Sequence, residues 1–287
     1  MEAKILDPTP CQLGEGPIWH PERGQLFWCD ILGRKLFTHA AGVTNCWSLA
    51  SHVSALGWID EERLLLASET ELALFRLDTG ESETLVPLEA DKPANRSNDG
   101  RADPFGGFWI GTMGKAFEKG AGAIYRYYRG ELRRLYPGIT VPNAICFSPD
   151  GQFAYFTDSA IGIIMRQRLD QADGWPLGEP EPFLDLRGQG WVPDGAVVDS
   201  AGNIWNAQWG GWRVACYSPG GEFRRAVEFS AANTSCPAFG GEGLNTLFCT
   251  SALFGVSDND LDRSPDHGKT FAAEAAGTGL PEYRVVP

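Results

Sequence analysis

Four oxygen-bearing side chains have the clearest potential for chemistry, because each of them opens an apolar segment of the chain. Glu15, Asn98, Asn143 and Asp194 supply two carboxylates and two amide groups. Oxygen ligands of this kind suit Ca²⁺, Mg²⁺ or Mn²⁺ and can accept Zn²⁺ or Fe²⁺. Without a metal ion, a carboxylate at the start of a buried strand must stay in contact with water or pair with another strong partner. If the four positions meet in space, the pattern predicts a site for one divalent metal ion.

Internal repeats supply a reason for these positions to meet. Four segments share a polar opener, an apolar strand, a turn that ends in glycine and a second apolar strand, and two weaker copies, from Ser54 and Pro237, complete a set of six. Their openers are Glu15, Ser54, Asn98, Asn143, Asp194 and Pro237. The copies start about 40 to 50 residues apart, which is the size of a four-stranded propeller blade. Equivalent positions of radially arranged repeats must lie close together near the central axis.

The apolar segments have the composition of strands rather than helices. Stretches such as LLLAS, AIYRYY and RVACYS are short, rich in β-branched or aromatic residues, and bounded by turn residues. The sequence therefore predicts an all-β fold, a six-bladed β-propeller with the metal site in its central channel. We expect residues 1–287 to form a single domain.

The last part of the chain departs from the repeat. Residues 256–279 are polar and rich in small residues, so we expect a long surface loop there, followed by a last strand, EYRVV. A strand near either terminus would complete the final blade, and the sequence leaves open which one does so.

A simpler explanation of the openers is that Asp and Asn are common in turns. That explanation stays open for each single position and is weakest for Glu15, which is not a turn former. Other hydrolytic sites find little support. The four histidines follow no HxxH or HExxH pattern, and no serine stands in a GxSxG motif.

Composition restricts the partners. The net charge of −13 argues against nucleic acid and anionic membranes. No apolar run is long enough to span a bilayer, and the first residues lack a signal-peptide pattern, so we expect a cytoplasmic protein. The seven scattered cysteines contain no CxxC pair and are expected to be buried thiols.

Six motifs together resemble the SMP-30/gluconolactonase/regucalcin family over nearly the whole chain. They are LGEGPIW (13–19), RSNDGRAD (96–103), VPNAICFSPDG (141–151), YFTDS (155–159), VPDGAVVD (192–199) and PAFGG (237–241). The resemblance implies a six-bladed propeller with one divalent cation in its channel. It also implies hydrolysis of sugar lactones to aldonic acids, with bacterial pentono- and hexonolactonases as the most similar members.

The same resemblance implies roles for particular residues. The family's metal ligands correspond to Glu15, Asn143 and Asp194. Its substrate-contacting arginine and asparagine correspond to Arg96 and Asn98, and a further sugar-contacting glutamate corresponds to Glu118.

General chemistry then suggests how such a site would work. A divalent cation activates a lactone carbonyl or the attacking water. Asp194 is the candidate catalytic residue, since a carboxylate at the metal can also accept the proton of water. Arg96 and Asn98 would hold sugar hydroxyls and favour the developing oxyanion.

Three other interpretations compete with that of a metal-dependent sugar lactonase. A non-catalytic Ca²⁺-binding regulatory propeller would keep the metal ligands but would not need Arg96 and Asn98. A protein-interaction propeller would not need convergent carboxylates, and a lactonase or esterase of broader range would need a wide apolar pocket. The polar residues favour an aldonolactone as the small-molecule partner. A monomer is expected because a closed propeller exposes few sheet edges.

Overall fold

The computed structural model describes residues 1–274 and 276–287 and contains six antiparallel sheets of four strands each. The first strand, β1 (Lys4–Asp7), belongs to the sixth sheet, and the other strands follow in chain order. Blade 1 contains β2 (Gly14–His20), β3 (Gln25–Asp30), β4 (Lys35–Ala40) and β5 (Val43–Ser48). Blade 2 contains β6 (Val53–Asp60), β7 (Arg63–Ser68), β8 (Glu71–Arg76) and β9 (Ser82–Pro87). Blade 3 contains β10 (Asn95–Ala102), β11 (Phe108–Gly114), β12 (Gly122–Tyr128) and β13 (Glu131–Ile139).

The second half of the chain repeats this arrangement. Blade 4 contains β14 (Pro142–Phe147), β15 (Phe153–Asp158), β16 (Ile163–Arg168) and β17 (Glu181–Asp185). Blade 5 contains β18 (Val192–Val198), β19 (Ile204–Trp209), β20 (Arg213–Tyr217) and β21 (Phe223–Glu228). Blade 6 contains β22 (Thr234–Gly240), β23 (Thr246–Ser251), β24 (Thr270–Glu274) and β1. A 3-10 turn (Glu242–Leu244) and helix α1 (Asp258–Arg263) lie in blade 6 connections. Neither of these short helices among the described residues has the length and apolarity needed to cross a membrane.

The first strand of each blade lines the central axis. Each of these six strands contacts the first strands of the two neighbouring blades, and the last blade returns to the first, so the ring is closed. Apolar side chains fill the spaces between adjacent blades. Val53 and Leu56 pack with Phe27 between blades 1 and 2, for example. The predicted six-bladed β-propeller is confirmed.

The final blade is completed by the N-terminal strand. β1 pairs antiparallel with β24, with Lys4 opposite Ala272 and Ile5 opposite Phe271. This pairing answers the question that the sequence left open. It also ties the two ends of the repeat array together, which prevents the ring from opening at that blade.

The prediction of a loop over residues 256–279 is wrong in part, because this stretch contains α1 and β24. Residue 275, which also falls within that prediction, lies outside the described residues. Small residues such as Ala272 and Ala273 have low intrinsic strand preference, and pairing with β23 and β1 overrides it.

The predicted last strand, EYRVV, is also wrong, because residues 282–286 belong to no sheet. The segment instead crosses between blades. The amides of Val285 and Val286 donate to the carbonyls of Trp58 and Gly106, each at 2.9 Å. The buried Glu282 carboxylate pairs with Arg101 of β10. The valines give this segment the composition of a strand, but the segment makes only isolated backbone hydrogen bonds and forms no ladder.

Candidate functional site

A cavity of about 290 Å³ opens where the first strands begin. Its lining includes Glu15, Arg96, Asn98, Asn143 and Asp194. All five side chains are buried although all are charged or polar. The structure therefore brings together five of the six residues predicted for the site, from blades 1, 3, 4 and 5. A volume of this size suits a small molecule rather than a polymer.

A β-bulge in the first strand of every blade helps to aim these side chains. The pairing register shifts between Glu15 and Ile18, between Asn143 and Cys146, and between Pro193 and Ala196, and the other three blades have equivalent shifts. A bulge bends the strand and redirects its side chains, and bulges are common next to functional sites.

Gly16 shows why the residue after Glu15 must be small. Its φ of 57° lies in the left-handed region, and a Cβ atom there would lie 2.6 Å from the carbonyl oxygen of Ser54. Only glycine meets both conditions without moving the neighbouring blade. The Gly16 amide donates to Oε2 of Glu15 at 3.1 Å, which helps to hold that carboxylate.

A chain of hydrogen bonds connects the polar side chains across three blades. Nη1 of Arg96 donates to Oδ1 of Asn98 at 2.8 Å, and Nδ2 of Asn98 donates to Oδ1 of Asn143 at 3.1 Å. Nδ2 of Asn143 donates to Oγ of Ser159 at 2.8 Å, and that hydroxyl donates to the carbonyl of Pro193 at 2.6 Å. The order of donors and acceptors orients the Asn143 amide, so its oxygen turns toward Asn98.

Ser159 is a site residue that the sequence interpretation missed. It is buried, lines the cavity and links Asn143 to the carbonyl that directly precedes Asp194. Its neighbour Asp158 has a different role, since its carboxylate accepts from the amides of Thr140, at 2.8 Å, and Val141, at 3.0 Å. Asp158 thus fixes the chain that leads into Asn143. The motif YFTDS contained both residues, but only a structure shows which one faces the cavity.

The two buried carboxylates carry a strong electrostatic penalty. Burial, together with the charge of Asp99, raises the pKa of Glu15 to about 8. Burial, together with the charges of Glu15 and Asp99, raises the pKa of Asp194 well above its usual range. Ionising both carboxyl groups at the inner end of the cavity is therefore unfavourable without a compensating positive charge. A bound cation would lower both pKa values and supply that compensation.

Arg96 and Asp99 complete the charged group. Burial lowers the pKa of Arg96 to about 10, so its guanidinium still carries a positive charge at neutral pH. Asp99, which the sequence interpretation did not single out, accepts from the amide of Ile145 at 2.7 Å, and burial raises its pKa to about 6. The charges of Glu15 and Asp194 act on Arg96, whereas Arg101 is the arginine whose charge acts on Asp99.

The donor set fits a divalent cation. Glu15 and Asp194 offer carboxylate oxygens and Asn143 offers an amide oxygen, which are ligands suited to hard cations. Within residues 1–274 and 276–287, no three Asp, Glu, His or Cys side chains form a ligand cluster by themselves. A three-ligand protein site here consequently depends on the Asn143 amide.

Glu118 does not join the other predicted residues. Its side chain is exposed, does not belong to the cavity lining, and accepts from the amide of Ala116 at 3.1 Å. The neighbouring Phe117 lines the cavity instead. Two tryptophans flank a pair of glycines in QWGGWR (208–213). Trp209 lines the cavity, while Trp212 packs edge-on against His267.

Comparison with known proteins gives a consistent picture. Residues 13–253 match the SMP-30/Gluconolactonase/LRE-like region family. L-arabinolactonase of Azospirillum brasilense is 35% identical over 99% of this chain and 95% of its own. 6-Deoxy-6-sulfogluconolactonase of Pseudomonas putida is 32% identical over 97% of each chain. The crystal structure of a calcium-binding protein, regucalcin, from Agrobacterium tumefaciens strain C58 superposes with a TM-score of 0.97 and 40% identity, covering 99% of this chain and 97% of that chain.

Proposed function

Because the chain belongs to the SMP-30/gluconolactonase/LRE-like family, we propose that it is a metal-dependent hydrolase that opens an aldonolactone to the aldonic acid. The observation that carries the proposal is the placement of Arg96 and Asn98 beside Glu15, Asn143 and Asp194 in one cavity. Four relatives at or above 30% identity are named for lactone hydrolysis. The named substrates differ between these relatives, so the proposal stops at the class of aldonolactones.

Glu15, Asn143 and Asp194 would hold one divalent cation, and the regucalcin relative is described as calcium-binding. When bound, such an ion supplies Lewis-acid activation of a carbonyl oxygen or of water. The protein fixes the ligands in advance, since Asn143 is held by Asn98 and Ser159 and Glu15 by the amide of Gly16. This arrangement lowers the cost of ordering the ligands when the ion arrives.

Asp194 would accept the proton of the attacking water. Hydrolysis adds the water oxygen to the lactone carbonyl carbon, and the ring C–O bond then breaks. The proton held by Asp194 passes to the departing ring oxygen to give a free hydroxyl group, and the carboxylic acid formed releases its own proton to solvent. A carboxylate buried at the inner end of a cavity is a suitable base when its ionised form is maintained there. Asn206 Nδ2 donates to the carbonyl of Asp194 at 2.9 Å and so fixes the backbone that carries this base.

Arg96 would bind the oxygen that becomes negative during the reaction. Among the described residues, its side-chain hydrogen bonds involve only Nη1, so the other guanidinium N–H groups remain for a ligand. A preorganised positive donor of this kind stabilises an oxyanion and the product carboxylate. Asn98 is already engaged by Arg96, Pro142 and Asn143, so its main contribution would be to position these groups.

The test is hydrolysis of pentono- and hexonolactones by the purified protein, followed by proton release. The protein is first stripped with a chelator and then supplied with Ca²⁺, Mg²⁺, Mn²⁺, Zn²⁺ or Fe²⁺. We expect turnover that disappears on chelation and returns with at least one ion. Rates no higher than spontaneous hydrolysis with every ion, in protein that still binds a cation, would overturn the proposal in favour of a binding protein.

A further inference from the structure

The mouth of the cavity is bridged by two phenyl rings from opposite sides of the propeller. Phe117 lies in the connection between β11 and β12 of blade 3, and Phe254 lies in the connection between β23 and β24 of blade 6. In a closed ring of six blades these two face each other across the axis. Their ring centroids are 6.2 Å apart with an interplanar angle of 13°. Both rings line the cavity and are about half exposed, at 47% and 43%.

The two sides of this phenyl pair are held differently. The Phe254 amide donates to the carbonyl of Gln12 at 2.8 Å, and its carbonyl accepts from Nδ2 of Asn233 at 3.0 Å. Phe117 has a φ of 60°, which is unfavourable for a bulky residue, and its amide donates to the carbonyl of Gly114 at 2.9 Å. The backbone of Phe254 is therefore held by hydrogen bonds to two other segments, whereas Phe117 lies in a strained turn, and the two rings stack on each other.

Much of the remaining cavity lining is also apolar. Met113, Val141, Val192 and Trp209 belong to it, and Val192 is 41% exposed. The cavity thus has one end built from buried charged and amide groups and another built from apolar side chains. A lactone small enough for about 290 Å³ that places its carbonyl near Arg96 must turn its remote end toward the apolar side chains.

We infer that the phenyl pair makes this protein select lactones whose end remote from the carbonyl carries a methyl group rather than a hydroxymethyl group. The inference rests on the proposed lactonase function and specifies its substrate class as deoxyaldonolactones. A methyl group against phenyl rings gains from burial, whereas a hydroxyl group there gives up part of its hydration to rings that offer no hydrogen-bonding group. Selectivity from such a contact is about tenfold to a hundredfold.

The experiment uses pairs of lactones that differ by one terminal hydroxyl group. L-rhamnono-1,4-lactone is compared with L-mannono-1,4-lactone, and 5-deoxy-D-ribono-1,4-lactone with D-ribono-1,4-lactone, each with the ion that gives the highest rate. We measure kcat and KM for the wild type, Phe117→Ala, Phe254→Ala and a matched control, Phe223→Ala. Phe223 is 55% exposed on β21 and is not part of the cavity lining.

We expect kcat/KM of the wild type to favour the deoxy member of at least one pair by tenfold or more. The preference should fall at least threefold in Phe117→Ala and in Phe254→Ala, mainly through KM of the deoxy lactone, because the contact is made equally in ground and transition states. Phe223→Ala should keep the wild-type ratio. Because each ratio compares two substrates on one preparation, partial misfolding of a variant does not change it.

Other results have distinct meanings. Hydrolysis of both members with less than a tenfold preference in each pair would overturn the inference and leave the lactonase proposal standing. A strong preference that both phenyl variants retain would overturn the assignment to the phenyl pair. Hydrolysis of no lactone in either pair or in the wider panel, with any ion, would overturn the proposed function, and this inference with it.

Discussion

Asn98 donates a hydrogen bond from Nδ2 to Oδ1 of Asn143 at 3.1 Å, and the two residues come from the first strands of neighbouring blades. The contact couples the orientation of Asn143, a proposed metal ligand, to that of Asn98, which accepts a hydrogen bond from Arg96. On its other side Asn143 donates to Ser159. An amide held at both its oxygen and its nitrogen cannot rotate without breaking a buried hydrogen bond.

We predict that Ser159→Ala weakens binding of the divalent cation about tenfold, because it leaves the Asn143 nitrogen without its acceptor and frees the amide to rotate. Calorimetric titration of stripped protein with the ion measures this directly. Ser148→Ala is the control, since Ser148 is also a buried blade 4 serine but bonds to Asp150 in a turn. Equal affinities in Ser159→Ala and the wild type would show that Asn143 is oriented without Ser159.

We predict that Asp194→Asn lowers kcat at least about a hundredfold, because an amide cannot accept the proton of water. The side chain keeps its size, so the fold should be retained. Asp78→Asn, on an exposed hairpin of blade 2, serves as the control for loss of one carboxylate. Turnover of Asp194→Asn within a few-fold of the wild type, at saturating metal, would exclude Asp194 as the base.

Repetition made the architecture and most of the site predictable. A residue that recurs at the same place in each repeat must recur at the same place in each blade, so the repeats alone predict that Glu15, Asn143 and Asp194 lie near the axis. The direction of each side chain was not predictable in the same way. It depends on β-bulges, whose extra residue leaves little trace in the pattern of apolar residues.

Features formed by contacts between distant parts of the chain were missed. Phe117 and Phe254 meet because two loops from opposite blades reach over the same opening, and neither loop carries a repeat signal. β24 is rich in alanine and forms only because partners stand on both sides. The role of Glu118 rests on the resemblance of a loop alone and stays a prediction, since its exposed side chain lies outside the cavity lining.

The pH dependence of the metal-free protein should report the buried Glu15. Its pKa of about 8 in the folded protein exceeds the value near 4.3 expected in the unfolded chain, so folding takes up a proton between these values. The stabilising effect of that proton is complete below about pH 4.3 and is lost as the pH rises through 8. Glu15→Gln removes this titration.

We therefore expect the free energy of unfolding of the wild type, relative to Glu15→Gln, to fall between pH 6 and pH 8 in the presence of a chelator. The slope would be at most about 1.4 kcal/mol per pH unit. Urea unfolding at several pH values measures it, and saturating divalent cation should reduce the slope for the wild type only. A difference that stays constant or rises over this range would contradict the strong burial of Glu15.

The ion pair between Arg101 and Glu282 should contribute to stability rather than to the reaction. Both side chains are buried, at 8% exposure each, and Arg101 also donates from Nη2 to the carbonyl of Pro237 at 3.2 Å. The pair joins the C-terminal segment to β10 of blade 3. Removing Glu282 leaves the Arg101 charge buried without its ion-pair partner, with Asp99 as its remaining charged neighbour, and breaking such a pair costs about 3 to 5 kcal/mol.

We predict that Glu282→Gln lowers Tm by roughly 5 to 8 °C and leaves the affinity for the divalent cation unchanged, because Glu282 does not line the cavity of the candidate site. The double variant Arg101→Met with Glu282→Leu should recover part of the loss, since it removes both charges. Asp185→Asn, which breaks an exposed pair with Arg187, should leave Tm unchanged. If Glu282→Gln melts like the wild type, or the double variant melts lower than Glu282→Gln, the buried pair is not what anchors the C-terminal segment.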